Sequence, residues 1–234
     1  MALDSNIYEG KSAQEVLQWA LDSYGTKAGL ASSFGMEDMI LIDMISRLNG
    51  DLTVFTLDTG RLHEETYEIM ERARNKYGIK LKIYFPDQTD TESLVREKGL
   101  FSFRDSVDNR KECCLIRKVK PLNRALSELS AWITGLRRDQ NVTRTDVPKV
   151  SEDKDRPPLI KINPLADWSF EQVTDYIKTN KVPINALHSQ NFPSIGCAPC
   201  TRSVAEGEDI RAGRWWWENP EHKECGLHSA NRRG

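Results

Sequence analysis

Five cysteines carry most of the chemistry open to this sequence, and they fall into three groups. Cys113 and Cys114 are adjacent. Cys197 and Cys200 frame a C-x-x-C turn with Ala198 and Pro199. Cys225 stands alone near the C-terminus, between Glu224 and Gly226. Thiolates are nucleophiles and soft metal ligands. Two pairs and a single residue divide as four plus one: a four-thiolate metal site and a spare, reactive thiol. Four thiolates can hold zinc or an iron–sulfur cluster. Zinc sites usually come as two spaced knuckles, and directly adjacent ligands are unusual in them. Pro193, Gly196 and Pro199 are turn formers around the second pair, which argues against four separate buried thiols. Cys225 has Lys223, His222 and His228 near it, and positive neighbours favour the nucleophilic thiolate. Lys118 lies one turn past Cys114 in what reads as the N-terminus of a helix. From there its ammonium can face the same thiolates.

Anion-binding signals accompany the cysteines. Ser32, Ser33, Phe34 and Gly35 join a strand to a helix, where backbone amides suit an oxyanion. The loop is no Walker A motif, since no Gly-Lys-Ser/Thr follows. Arg137 and Arg138 sit at another strand end, and Arg144 lies in the loop beyond. Adjacent arginines can clamp phosphate or sulfate with paired hydrogen bonds. Arg211 and Arg214, three apart, share a face if that stretch is helical. Together these groups suit a small polyanion.

The elements that must position these groups alternate. Residues 12–24 read as an amphipathic helix with Ser12 as N-cap and Glu15 completing a capping box. Residues 28–33, 52–57, 79–85 and 131–134 read as strands, and residues 37–48, 63–77 and 169–179 as helices, the last capped by Ser169. Alternation of this kind gives a mostly parallel sheet with helices on both faces. Ligands of such sheets bind beyond the carboxyl ends of the strands. The spans 32–35, 58–61 and 135–139 are therefore expected to line one crevice. Residues 141–158 are polar and read as an exposed, mobile loop.

Length and charge narrow the classes. The chain has 234 residues, and 33 basic against 35 acidic side chains leave a formal charge of −2, which argues against a general nucleic-acid binder. Apolar runs such as Met39–Ile42 are far short of a membrane span, and the first residues lack the pattern of a signal peptide. A cytoplasmic location is the default, and there paired cysteines serve metals or catalysis more often than disulfides.

At this point the motifs resemble those of a known family. Ser33-Phe34-Gly35, Leu57-Asp58-Thr59-Gly60, the run from Cys113 to Pro121, Thr134 to Gln140, Phe192 to Cys200 and Glu224 to His228 are similar to the assimilatory adenylyl-sulfate (APS) reductases and the related phosphoadenylyl-sulfate (PAPS) reductases, which are thioredoxin-dependent. The resemblance implies an adenine nucleotide α-hydrolase-like fold. It also implies one nucleotide- and cluster-binding domain over residues 1–201, with an irregular tail over 202–234 carrying the catalytic cysteine. It assigns a [4Fe–4S] cluster to Cys113, Cys114, Cys197 and Cys200, and the nucleophile to Cys225. Substrate contacts carry over to Ser32, Ser33, Gly35, Asp58, Thr59, Gly60, Lys118, Arg137, Arg138, Arg144, Arg211, Arg214 and His228.

The implied reaction belongs to sulfate assimilation and cysteine biosynthesis. Cys225 attacks the sulfur of adenylyl sulfate, AMP leaves, and an S-sulfocysteine remains. Five cysteines minus four ligands leave one, Cys225 itself, and no second thiol to resolve it, so thioredoxin or glutaredoxin must release sulfite. Use of PAPS as well, and assembly into a homo-oligomer, are both compatible with the motifs. The aromatic run Trp215-Trp216-Trp217 is expected to pack the tail, with contact to thioredoxin as the alternative. Two further classes compete. An adenylating pyrophosphatase or sulfurtransferase of the same fold would need a Ser-Gly-Gly loop, which is absent at residues 32–38. A zinc-binding regulatory protein would be colourless.

Overall fold

The computed structural model describes residues 4–48, 50, 52–140 and 144–219. Cys225, His228 and the rest of residues 220–234 lie outside these. Helix α1 spans Asn6–Glu9 and α2 spans Ala13–Tyr24. Ser12 caps α2 in the expected capping box with Glu15. Then come β1 (Ala28–Ala31), α3 (Met36–Arg47), β2 (Thr53–Leu57), α4 (Glu64–Tyr77), β3 (Lys80–Tyr84) and α5 (Gln88–Lys98). Helices α6 (Val107–Cys114) and α7 (Lys120–Leu126) follow, then β4 (Ala131–Ile133), β5 (Val150–Glu152), β6 (Ile160–Ile162) and α8 (Phe170–Asn180).

The six strands form one sheet in the order β3-β2-β1-β4-β6-β5. Strand β1 runs parallel to β2 and β4, and β4 parallel to β6; β5 is antiparallel to β6. This is the mostly parallel α/β architecture that the alternation predicts. Leu30, Val54, Phe55 and Ile133 are buried in it, as strands covered on both faces require. Helix α3 is buried along Asp38–Ile45, so its apolar run Met39–Ile42 is core.

Two expectations are corrected. Residues 150–152 are strand β5, and Lys149, Val150 and Asp153 beside or within it are buried, so this part of the span is not the exposed, mobile loop expected, while Thr145, Asp146, Lys154, Asp155, Pro157 and Pro158 are exposed. The ammonium of Lys149 is neutralised by Asp167 at 2.7 Å and donates to the Lys11 carbonyl at 2.5 Å. A buried lysine with such partners reads as a surface residue in sequence. The second correction is that Cys113 and Cys114 end a helix rather than begin one.

The chain forms two compact units, interleaved in sequence. The first comprises residues 1–56, 68–82 and 128–185; the second comprises 57–67, 83–127 and 186–234. Residues 32–35 and 135–139 fall in the first unit, and 58–61 in the second.

Candidate functional site

In the first unit, the loop after β1 is held in an unusual shape. Phe34 is buried and left-handed, with φ of 59°, a conformation rare for a bulky side chain. Its amide donates to Ser32 Oγ at 3.0 Å. The Ser33 amide and hydroxyl both donate to Asp38 Oδ2. Asp38 is buried, and burial, opposed by those Ser33 hydrogen bonds, raises its pKa to about 6. Gly135 lies directly against it: a Cβ there would sit 2.6 Å from Asp38 Oδ1. Ser32, Ser33, Gly35 and Gly135 are thus brought together at the ends of β1 and β4.

The arginines beyond β4 already have protein partners. Arg137 is buried and donates to Glu37 at 2.9 Å and to the Trp168 carbonyl at 3.0 Å. Arg138 pairs with Glu9 at 2.6 Å and donates to the Val147 carbonyl. Arg144 donates to the Gln140 side chain at 2.7 Å. A substrate anion at these arginines would compete with Glu37 and Glu9.

In the second unit, the four described cysteines line one cavity together with Arg61, Phe103, Arg110, Arg117, Lys118 and Trp215. About 330 Å³ in and around it is free of atoms, counting space open to solvent. Helix α6 is capped by Ser106 and ends at Cys113 and Cys114. A π-helical turn, Leu115–Val119, carries Arg117 and Lys118 on into α7. Pro121, within the first turn of α7, has no amide to give to the preceding turn. Such wide turns are common at functional sites. Cys197 and Cys200 are set by a tight 3-10 turn around Pro199, with the Cys200 amide donating to the Cys197 carbonyl at 2.9 Å.

The loop after β2 meets this cavity. Asp58 accepts from the Gly60 amide at 2.7 Å and from the Tyr67 hydroxyl at 3.0 Å. Gly60 is left-handed, with φ of 70°. Thr59 Oγ1 lies 3.3 Å from Cys197 Sγ, and its carbonyl accepts from Arg117 at 2.7 Å. Asp58, Thr59 and Gly60 therefore stand with the cysteines and Lys118. Arg211 and Arg214 lie in the same unit. Arg214 is buried and donates to Ser194 and to the Ile195 carbonyl, each at 3.2 Å.

Electrostatics favour negative charge at one thiol of the cavity, Cys197. Burial pushes Cys197 up, but Lys118, the Thr59 hydroxyl, Arg214 and Arg61 together outweigh it and hold the thiol below its ordinary value. Burial, then the Cys197 thiolate, pushes Cys200 up to about 12. Burial also raises Cys113, and burial followed by Arg61 lowers Arg117. Arg117 Nε is buried and takes no hydrogen-bond partner among the described residues. Four sulfur donors among four cationic side chains fit a thiolate-ligated, anionic group. Among the described residues no three Cys, His, Asp or Glu side chains are disposed to hold a single metal ion.

Sequence reasoning passed over Arg110 and Arg117. Both were legible: Arg110, Cys113 and Arg117 are three and four apart, the spacing of one helix face. Trp215 is buried and Trp217 packs 5.9 Å from Phe103, the packing role expected of the run; Trp216 is exposed. No described helix is long and apolar enough to cross a membrane.

Comparison with known proteins defines the class. Residues 27–203 match the phosphoadenosine phosphosulfate reductase domain. The chain therefore belongs to this APS/PAPS reductase family and is an enzyme of it. Two curated relatives are named adenosine 5′-phosphosulfate reductase. That of Allochromatium vinosum is 52% identical, covering 85% of this chain and 77% of its own length. That of Pseudomonas aeruginosa strain LESB58 is 46% identical, covering 98% and 86%. Among solved structures, phosphoadenylyl-sulfate (PAPS) reductase from Candida auris, as a phosphate complex, matches with a TM-score of 0.74 and 28% identity. It covers 87% of this chain and 99% of that one. FMN adenylyltransferase of Candida glabrata, 13% identical at a TM-score of 0.56 and covering 91% and 72%, shares the fold.

Proposed function

We propose that this enzyme reduces adenylyl sulfate to sulfite and AMP in assimilatory sulfate reduction, in the cytoplasm. The observation that carries the proposal is the meeting of Cys113, Cys114, Cys197 and Cys200 with Lys118 and the Asp58–Gly60 loop around one cavity. The four thiols would hold a [4Fe–4S] cluster. Successive side chains on a helix point about 100° apart. Cys113 and Cys114 are therefore better placed to reach two corners of a cluster than to converge on one zinc ion. When bound, the cluster would supply an anionic centre whose charge Lys118 and Arg117, which line the same cavity, would offset.

The chain's own residues then divide the work. Ser32, Ser33 and Gly35, with the loop pinned by Asp38, receive nucleotide oxygens. Arg137, Arg138, Arg144, Arg211, Arg214 and His228 bind anionic oxygens of the substrate. Lys118 offsets charge on the sulfate. The Cys225 thiolate attacks the sulfate sulfur; the bond from that sulfur to the bridging oxygen breaks, and AMP departs with the electron pair. One thiolate of thioredoxin or glutaredoxin attacks Cys225 Sγ and displaces sulfite. Its second thiol attacks the mixed disulfide, returning Cys225 and leaving the reductant as a disulfide. Two electrons pass from the dithiol to sulfur.

The test is sulfite release from adenylyl sulfate with thioredoxin, comparing wild type with Cys225→Ser and assaying iron and acid-labile sulfide in both. The variant should keep iron and bind nucleotide but release no sulfite. Full activity in the variant would sink the nucleophile assignment. A colourless protein with one zinc would favour a regulatory role. The 3′-phosphorylated nucleotide, the substrate named for the Candida auris structure, is the second substrate to run in the same assay.

A further inference from the structure

Arg110 and Glu218 form an ion pair of 2.6 Å, with side chains only 2% and 4% exposed, across 108 positions of sequence. The Arg110 guanidinium also lies over the Trp215 ring, 4.6 Å from its centre. Trp215 is buried, and its backbone is left-handed at φ of 42°, an outlier for a bulky residue that surrounding contacts must hold in place. Its amide donates to the Cys200 carbonyl at 3.1 Å, and its carbonyl accepts from the Glu218 amide at 2.9 Å. The segment from Trp215 to Glu218 thus touches both cysteine pairs. It reaches Cys200 through the backbone and, through Arg110, the face of α6 that carries Cys113 one turn on.

Stability alone accounts poorly for this arrangement. Desolvation offsets most of the attraction in a buried ion pair. Glu218 Oε2 is buried without a hydrogen-bond partner among the described residues, which adds to the cost. What such a pair supplies is a unique meeting point. Cys225 lies seven residues beyond Glu218 in the sequence, and seven residues span at most roughly 25 Å.

We propose that Arg110, Trp215 and Glu218 form a latch that fixes where the segment bearing Cys225 departs, making Arg110 and Glu218 positioning residues for the sulfur-transfer step. The inference rests on the function proposed above.

The test uses the full-length, cluster-loaded enzyme. Glu218→Gln removes the carboxylate from the buried pair and should loosen the segment. In a single turnover at saturating adenylyl sulfate, formation of S-sulfocysteine should slow by about 10-fold or more, as misplacement of a reacting group costs. Nucleotide affinity and iron content should stay at wild-type levels. Amide hydrogen exchange should quicken at Trp215 and Glu218 and not in β1 or β4.

A second variant, Arg110→Met with Glu218→Met, removes both buried charges, so thermal stability should recover while the slow turnover persists. Recovery of turnover together with stability would reduce the pair to a structural role and overturn the proposal; so would wild-type turnover in Glu218→Gln. The exchange measurement needs no reaction. If the wild type consumes no adenylyl sulfate, the functional reading falls, and unchanged exchange in Glu218→Gln would separately sink the latch.

Discussion

Ser33 donates twice to Asp38, its amide at 2.6 Å and its hydroxyl at 2.9 Å from the same oxygen, Oδ2. This pair of hydrogen bonds across five residues sets the shape of the loop that joins β1 to α3. It also presses a carboxyl group into the core, and the cost of that depends on pH.

Asp38 has its folded-state pKa raised from the usual 3.8 to about 6, chiefly by burial. Folding therefore favours its protonated form. The stability this gives is fully present below pH 3.8 and lost as pH rises through 6. Asp38→Asn keeps an acceptor for Ser33 and carries no charge. Urea unfolding should find the variant more stable than wild type by about 1–3 kcal/mol at about pH 8, with the difference closing at about pH 4. An advantage equal at both values would show that the carboxylate is not the cause.

Gly135→Ala should damage the same loop by a steric route. The new Cβ would meet Asp38 Oδ1 at 2.6 Å, Glu37 Cβ at 2.8 Å and the Asp38 amide at 3.3 Å. The backbone contact leaves little room to relax. Overpacking of this kind costs about 1–3 kcal/mol. Thermal unfolding should show that loss, and nucleotide titration a weaker dissociation constant, with iron content unchanged.

These two sites illustrate what the sequence does and does not disclose. The boundaries of β1 to β4 and of α2, α3, α4 and α8 were legible within a few residues, because apolar runs such as Met39–Ile42 and caps such as Ser12 and Ser169 act locally; α1, α5 and α7 were not read. Strands β5 and β6 were not. Each is three residues long, too short to display alternation, and Lys149 and Lys161 read as solvent-facing. Helix α6 was hidden for another reason: Asp108, Asn109, Arg110, Lys111 and Glu112 give it almost no apolar face. The cysteine grouping was legible because spacing in sequence mirrors proximity. The pairing of Arg110 with Glu218 was not, since nothing local connects residues 108 positions apart.

Lys118→Met should separate binding of the metal group from handling of the substrate. Lys118 lines the cavity with all four described cysteines and acts on the Cys197 thiolate. The thiols remain in the variant, so iron and sulfide should stay near wild type. Sulfite release per unit time should fall by about 10²-fold, the usual cost of removing one preorganised charge from a reacting group. An unchanged rate would place Lys118 outside the chemistry.

Cys200→Ser and Cys225→Ser should fail in opposite ways. Cys200 is one of four donors around the cavity, so its loss should abolish visible absorbance and most of the iron. Cys225→Ser should stay coloured and release no sulfite. Loss of iron from Cys225→Ser would mean the four-plus-one division is wrong.

The wide turn at Leu115–Val119 sets a rule for how this chain tolerates change in length. A π-turn holds one residue more than the α-helix on either side of it. Removing a single residue between 115 and 119 would let α6 and α7 merge into one regular helix, with its hydrogen bonds intact and little for a stability assay to detect. Four α-helical residues sweep about the same angle as the five residues of the wide turn, so α7 would keep its facing. The side chains inside the turn, Lys118 among them, would instead be re-aimed without any substitution at residue 118. At this place the count of residues, as much as their identity, encodes the site.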